Sequence, residues 1–195
     1  MRYSGEHKAQ TRRRVLQEAA AAIRSDGVDR LGVAQVMARA GLTHGGFYAH
    51  FASKDDLVTQ AIEFMFEDRY AAFFANLDDT DPRVALTRFV DRYVSMRHRN
   101  AIDAACPVPV LAGQVPHLPE AARARFRLAL DRLTGGVAGL LARMGAADVE
   151  ITATAAIAEM VGAIAMARVE PDDAKAQRLL DTVRASVKTR LSLDA

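Results

Sequence analysis

The sequence predicts an all-α protein, a small N-terminal three-helix unit followed by a larger C-terminal helical body, about nine helices in all. Three observations carry this. Gly and Pro fall between stretches of helical periodicity. The alternation of β-branched and aromatic residues that marks strands is absent. Residues 33–54, VAQVMARAGLTHGGFYAHFASK, read as two short helices joined by a tight turn, a helix-turn-helix pattern.

The first helix is expected over residues 8–25, with Val15, Ala19, Ala22 and Ile23 as its apolar stripe and Asp26-Gly27 as its stop. In the pair that follows, Val33, Val36 and Leu42 can share one small core. Gly41 takes the turn, where a positive φ is easiest for glycine. Thr43 stands as N-cap of the second helix, its hydroxyl available to an orphan backbone N–H. Phe47 anchors that helix and Phe51 closes it, while Thr43, His44, Tyr48 and His50 fall mostly on its outer side. Ser53-Lys54-Asp55-Asp56 opens the next helix, 54–76, with Ser and acid three apart. Thr80-Asp81-Pro82 starts another, to about Arg99, with Asp as N-cap and Pro at the first helical position. Pro107, Pro109, Gly113 and Pro116 break residues 100–118 into a connector with room for one short turn. Pro119 opens a long helix to residue 144, ended by Gly145, and helices over 148–169 and 171–193 follow.

The chain has 195 residues, 50% hydrophobic and 26% charged, which suits one soluble domain or two small ones. Its charges are unevenly divided. Residues 1–54 hold nine Lys/Arg against four Asp/Glu, and the remainder seventeen against twenty. Arg12, Arg13 and Arg14 cluster in the first helix with Lys8 one turn earlier. Such triplets also serve as solvated surface, but beside a helix-turn-helix they supply the sequence-independent part of DNA affinity. Charged residues interrupt the apolar stretches, so no membrane-spanning run is expected. The N-terminus lacks an apolar leader segment, and the single Cys suits a reducing cytosol, so the expected location is cytoplasmic. The five His lack metal-ligand spacing, and no nucleophile elbow, phosphate loop or dinucleotide motif is present. Neither an enzyme nor a cofactor is expected.

The run from Gly41 to Leu57, G-L-T-H-G-G-F-Y-A-H-F-x-S-K-D-x-L, resembles the DNA-binding end of the TetR/AcrR family of bacterial one-component regulators, and the likeness is dense from about Arg12. The resemblance implies a helix-turn-helix DNA-binding domain over 1–53. A ligand-binding and dimerisation domain over 54–195 would follow, the helix from residue 54 acting as lever between them. Base contacts are expected from Thr43, His44 and Gly45, with Gly45 and Gly46 letting the backbone approach the groove. Phosphate contacts are expected from Lys8, Arg12, Tyr48, His50 and Lys54. Tyr48 could instead pack half-buried on the first helix, and His50 could complement a helix dipole. Three positions depart from the family pattern. Met37 stands where a small Ala is usual, and should alter packing between the two helices. Gly32 replaces a Ser or Thr helix start, and Ala34 occupies a place where relatives often carry Arg.

One short recognition helix buries too little for specificity, so two half-sites are needed. Residues 153–169 are apolar nearly all round, and Ala158, Gly162, Ala163 and Ala165 allow close helix approach. With 183–191, which brings Val183 and Val187, they are expected to form a four-helix bundle across a two-fold axis. The alternative is the core helix of a monomer. Phe64, Tyr70, Phe74 and Phe89 are candidate walls of an effector cavity, as are Tyr93, Met96, Phe126 and Met160, though each also suits plain core. Cys106 lies near Arg97, His98 and Arg99, cations that would favour a thiol sensor, while a small buried apolar residue is the plainer reading. The expected protein is a homodimeric transcriptional regulator, a repressor that binds double-stranded DNA at a palindromic operator and is released by a small-molecule effector. No membrane partner is expected. An activator or co-repressor-dependent regulator of the same fold is one alternative, a helical small-molecule binder without DNA binding another.

Overall fold

The computed structural model describes residues 2–75 and 81–193. In chain order these form α1 (Arg2–Asp26), α2 (Val33–Arg39), a 3-10 helix (His44–Ala49) and α3 (Lys54–Ala75). Next come α4 (Pro82–Tyr93), α5 (Met96–Asn100), a 3-10 turn (Ile102–Ala104), α6 (Val108–Leu111) and a second 3-10 turn (Val115–His117). Three long helices finish the chain: α7 (Glu120–Arg143), α8 (Val149–Val169) and α9 (Asp173–Arg190). The all-α class holds, with an N-terminal helix-turn-helix domain and a larger C-terminal helical domain.

The N-terminal unit closes over one apolar centre. Val15, Ala19 and Ile23 of α1 are buried with Val36, Met37, Phe47 and Phe51. Gly41 has φ +71, and the turn is closed by Leu42 N–H on Met37 O at 2.9 Å and Gly41 N–H on Ala38 O at 3.0 Å. This double bond pattern needs the left-handed conformation that glycine adopts without Cβ strain. Ser53 Oγ accepts from Asp56 N–H at 3.1 Å to start α3, as the spacing of Ser and acid predicts. From there α3 packs on α1 along one side and on α7 along another.

The expected helix limits at Asn76 and Thr80 lie outside the described residues. Asp81 does cap α4, its Oδ1 accepting from Val84 N–H at 3.0 Å. The helix ends at Tyr93 and not near Arg99, because the Ser95 hydroxyl accepts from His98 N–H at 3.2 Å and begins α5. The connector is richer than one short turn, holding two 3-10 turns and α6. The last helix starts beyond Pro171, because Asp172 Oδ1 accepts from Ala174 and Lys175 N–H at 2.9 and 3.0 Å.

Helix α8 is the most apolar of the long described helices, interrupted at Glu159 as the expected charge pattern requires. By length and composition it could cross a membrane. One face, with Ala156, Ile157, Met160 and Ile164, is buried, packed between α7 and α9. The other is open, with Ile151 71%, Met166 63% and Val169 83% exposed. Val187, expected on a dimer face, is fully buried in the chain's own core, because α9 turns that residue inward. Val183 is partly buried beside that core.

Charged groups tie the connector to its neighbours through backbone carbonyls. Arg99 donates to Ala167 O at 2.7 Å and to Glu170 O, and pairs with Asp173 at 2.7 Å, which closes the C-terminus of α8. Arg168 donates back to the carbonyls of His98 and Arg99 at 3.3 and 3.2 Å. His98 is buried, with Nδ1 2.7 Å from Tyr93 O and Nε2 accepting from Cys106 N–H at 3.0 Å. The carbonyl needs a donor and the amide an acceptor, so the ring is neutral with its proton on Nδ1.

Burial is the main cause that pushes the His98 pKa down to about 4, from an ordinary 6.5. The unfolded chain therefore takes up a proton that the folded chain refuses. This contribution to stability is complete above the ordinary value and is lost as pH falls towards the depressed one. It amounts to about 3 kcal/mol. Thermal unfolding followed by circular dichroism should show wild-type stability falling more steeply across that window than His98→Gln. Equal pH dependence of the two would show that His98 is not held neutral.

Candidate nucleic-acid interface and effector cleft

The recognition segment is a 3-10 helix, with Gly46 N–H on Thr43 O at 3.1 Å and His50 N–H on Phe47 O at 2.9 Å. Its shape is held from beneath by Phe47 and Phe51, both buried, with ring centroids 5.6 Å apart. Thr43 sits at the N-cap in extended conformation, but its side chain makes no capping hydrogen bond; its carbonyl starts the helix. That corrects the expected hydroxyl cap. Thr43, His44 and Gly45 are exposed together, in the first turn of the segment.

The two glycines differ. A Cβ at Gly45 would meet nothing within 4 Å, so packing inside the protein does not require glycine there. A Cβ at Gly46 would lie 3.8 Å from Met37 Cε. Met37 is fully buried, and its far end lies against the position where residue 46 has no side chain. The bulk at position 37 is thus accommodated beneath the recognition segment.

Tyr48 is 71% exposed and only edge-on to Phe47, which removes the reading in which it packs half-buried on α1. Lys54, at the first residue of α3, and Lys8, on α1, are exposed as well. Arg12 differs from the free phosphate contact expected of it. It donates to Gln60 Oε1, and its guanidinium lies 5.4 Å from the Phe51 ring centre. Gln60 donates to Asp56 at 2.6 Å, and Asp56 accepts from Ala52 N–H at 2.9 Å. Arg12 is therefore built into the junction between α1 and the start of α3. The His50 pKa is lowered, first by burial and then by the charges of Lys8 and Arg12. Three basic side chains thus gather on one face beside the recognition segment, a field that attracts a phosphate as it repels a proton.

In the C-terminal domain a cleft of about 390 Å³ opens between α3 and α4. Tyr70, Phe73, Phe89 and Tyr93 form its aromatic wall, and Arg69, Arg88 and Arg92 also line it. Of the residues proposed from sequence, Tyr70, Phe89 and Tyr93 meet there. Phe64 lies elsewhere, with the Arg13 guanidinium 5.6 Å from its ring centre. Phe126 packs edge-on to Phe66 at 5.3 Å, Met160 is core, and Phe74 faces Arg132 at 4.4 Å. Met96 begins α5 away from the cleft wall. Sequence reasoning missed Arg69, Phe73, Arg88 and Arg92. The four-residue spacing of Arg69 with Phe73, and of Arg88 with Arg92, was a visible signal, overlooked because apolar walls were sought.

Cys106 is fully buried behind the cleft, near the buried hydroxyls of Tyr70 and Tyr93. Burial pushes its thiol up, and the two phenols, the Val108 amide and Arg69 oppose this only in part. Arg99, expected to favour the thiolate, spends its donors on α8 carbonyls and Asp173, and His98 is neutral. The reactive-thiol environment is absent, and the plainer reading of a small buried residue fits.

Residues 15–61 match the family model described as bacterial regulatory proteins, tetR family. No curated protein matches the chain. Among solved structures, E. coli NemR in its reduced form is similar with a TM-score of 0.80 at 17% identity, over 92% of this chain and 97% of that one. A TetR regulator from Chloroflexus aurantiacus is similar with a TM-score of 0.79 at 23% identity, over 96% of each chain. One from Agrobacterium tumefaciens gives 0.77 at 22% identity, over 92% of this chain and 98% of that one. These likenesses define the class, an all-helical fold shared over nearly the whole length with helix-turn-helix regulators. The N-terminal match gives residues 15–61 the DNA-binding domain of the tetR family of bacterial regulatory proteins.

Two kinds of contact are expected on the recognition face. Tyr48→Ala and Lys54→Ala should weaken binding to all DNA sequences by about tenfold each. His44→Ala and Gly45→Ala should change the preference among operator variants, each altered base contact being worth about 1–3 kcal/mol. Gly45→Ala should leave the protein folded, since its Cβ meets open space. Competition binding across single-base operator variants measures both effects, and identical profiles for all four variants would contradict the division.

Proposed function

We propose that this chain is a cytoplasmic, ligand-released repressor that binds a palindromic operator as a homodimer. The observation that carries the reading is the exposed polar segment from Thr43 to Tyr48, mounted on the buried Phe47–Phe51 pair and flanked by Lys8, His50 and Lys54. Thr43, His44 and Gly45 read bases, and Tyr48, His50, Lys54 and Lys8 hold phosphate. The DNA-binding domain ends at residue 53, where Ser53 caps α3, and α3 carries on into the ligand-binding and dimerisation domain.

The open face of α8 supports the dimer. Ile151, Met166 and Val169 are exposed together with Ala158, and a Cβ at Gly162 would meet nothing within 4 Å. An apolar helix face of this kind is stabilised by a second copy, with Ala158, Gly162 and Ala165 allowing close approach. The effector occupies the cleft between α3 and α4 and favours a state in which the two recognition segments no longer match successive major grooves. Weakening operator binding about 100-fold requires that the ligand discriminate between the states by about 2.7 kcal/mol.

Fluorescence anisotropy on DNA from just upstream of the chain's own gene, against scrambled DNA across a salt series, tests this reading. Tight, selective binding that falls linearly in log[salt], with two chains per site, is the expected result. Ala158→Arg should give monomers in sedimentation and lose most operator affinity. Equal, weak binding to both DNAs would count against an operator at that place, and a monomeric wild type would overturn the dimer.

A further inference from the structure

We propose that the effector is an organic anion, an aromatic or short acyl body carrying one anionic head group. This rests on the reading of the α3–α4 cleft as the effector site and specifies its chemistry. Arg69, Arg88 and Arg92 converge on one cleft, and none has a carboxylate partner among the described residues. The neighbouring acids are engaged elsewhere. Asp91 lies 2.7 Å from Lys188 and 3.8 Å from Arg184, and Asp68 pairs with Arg13 at 3.6 Å. Arg69 Nε is buried without a hydrogen-bond partner, and its guanidinium lies 5.8 Å from the Tyr70 ring centre.

This arrangement selects by charge. Arg88 and Arg92 are one turn apart on α4, a like-charge pair that is unfavourable until an anion sits between them. A guanidinium offers a planar fork of donors that matches carboxylate, sulfonate or phosphate oxygens. A cationic ligand would meet three positive charges. A neutral apolar ligand would cover the Arg69 head without giving it an acceptor, which costs free energy. The aromatic wall takes the body of the ligand, and the volume falls within the ordinary range of small-molecule sites, roughly 300–1,000 Å³.

The test uses the full-length protein and two probes that share an aromatic body, 8-anilinonaphthalene-1-sulfonate and the neutral N-phenyl-1-naphthylamine. The sulfonate should bind saturably, about tenfold or more tighter than the amine. Arg88→Gln with Arg92→Gln should remove about tenfold of the sulfonate affinity and leave amine affinity within about twofold, while Phe89→Ala weakens both. Arg69→Gln should act as the double variant does. Circular dichroism checks that each variant is folded, and Arg88 and Arg92 are exposed. Displacement by 1-naphthoate or by 1-naphthyl phosphate identifies the preferred head group. Equal affinity for the two probes, sulfonate binding indifferent to the arginines, or displacement by neither anion would overturn the proposal. The same additions to an operator complex separate the two readings. Arginine-dependent binding that leaves DNA bound sinks ligand release and keeps the anion site, whereas release by the neutral amine alone does the reverse.

Discussion

The buried guanidinium of Arg24 joins the DNA reader to the rest of the molecule. It lies in the last turn of α1, donating to Asp103 O of the connector at 2.9 Å and to Met65 O of α3 at 3.2 Å. Burial lowers its pKa, yet a guanidinium stays charged, so it must keep acceptors. Beside it, Gln114 Oε1 accepts from Val28 N–H at 3.1 Å, which ties the loop after α1 to the same connector. Hydrogen bonds to a charged group contribute about 1.5–3 kcal/mol each. That is the size of the coupling that the proposed hundredfold, ligand-driven change in DNA affinity would need.

Two routes lead from the cleft to that joint. Helix α3 is one element from Lys54, at the DNA-facing end, to Arg69 and Phe73, in the cleft wall, and it carries the Met65 carbonyl between them. At about 1.5 Å per residue its 22 residues span about 33 Å. The second route passes behind the cleft. Tyr70 and Tyr93 abut Cys106, whose amide is held by His98, and this part of the connector leads back to Asp103. The recognition segment cannot absorb such a shift alone. With few internal hydrogen bonds, it follows the Phe47–Phe51 pair and the helices packed around it.

Much of this architecture was legible because local chemistry and packing agree. Gly27 and Gly41 mark turns that need positive φ, Asp81-Pro82 and Ser53 mark helix starts, and all four hold. The break after Tyr93 was hidden, since Ser95 acts as a cap only once the chain has left α4 at Val94. The cleft was half legible. Its aromatic residues stand out in the sequence as apolar, but its arginines gain a shared place only where α3 faces α4. Val187 failed as a surface residue because helical periodicity marks a face without saying which neighbour covers it. Arg12 reads from sequence as a phosphate contact, and only the fold places it at the α1–α3 junction and makes Arg24 the buried joint.

Selection from random double-stranded DNA with the full-length protein, sequenced after several rounds, tests most directly whether two recognition segments act together on a symmetric site. Enrichment of an inverted repeat, its half-sites about one helical turn apart and bound by two chains, is the predicted result. Enrichment of a lone half-site, or of no sequence at all, would contradict it.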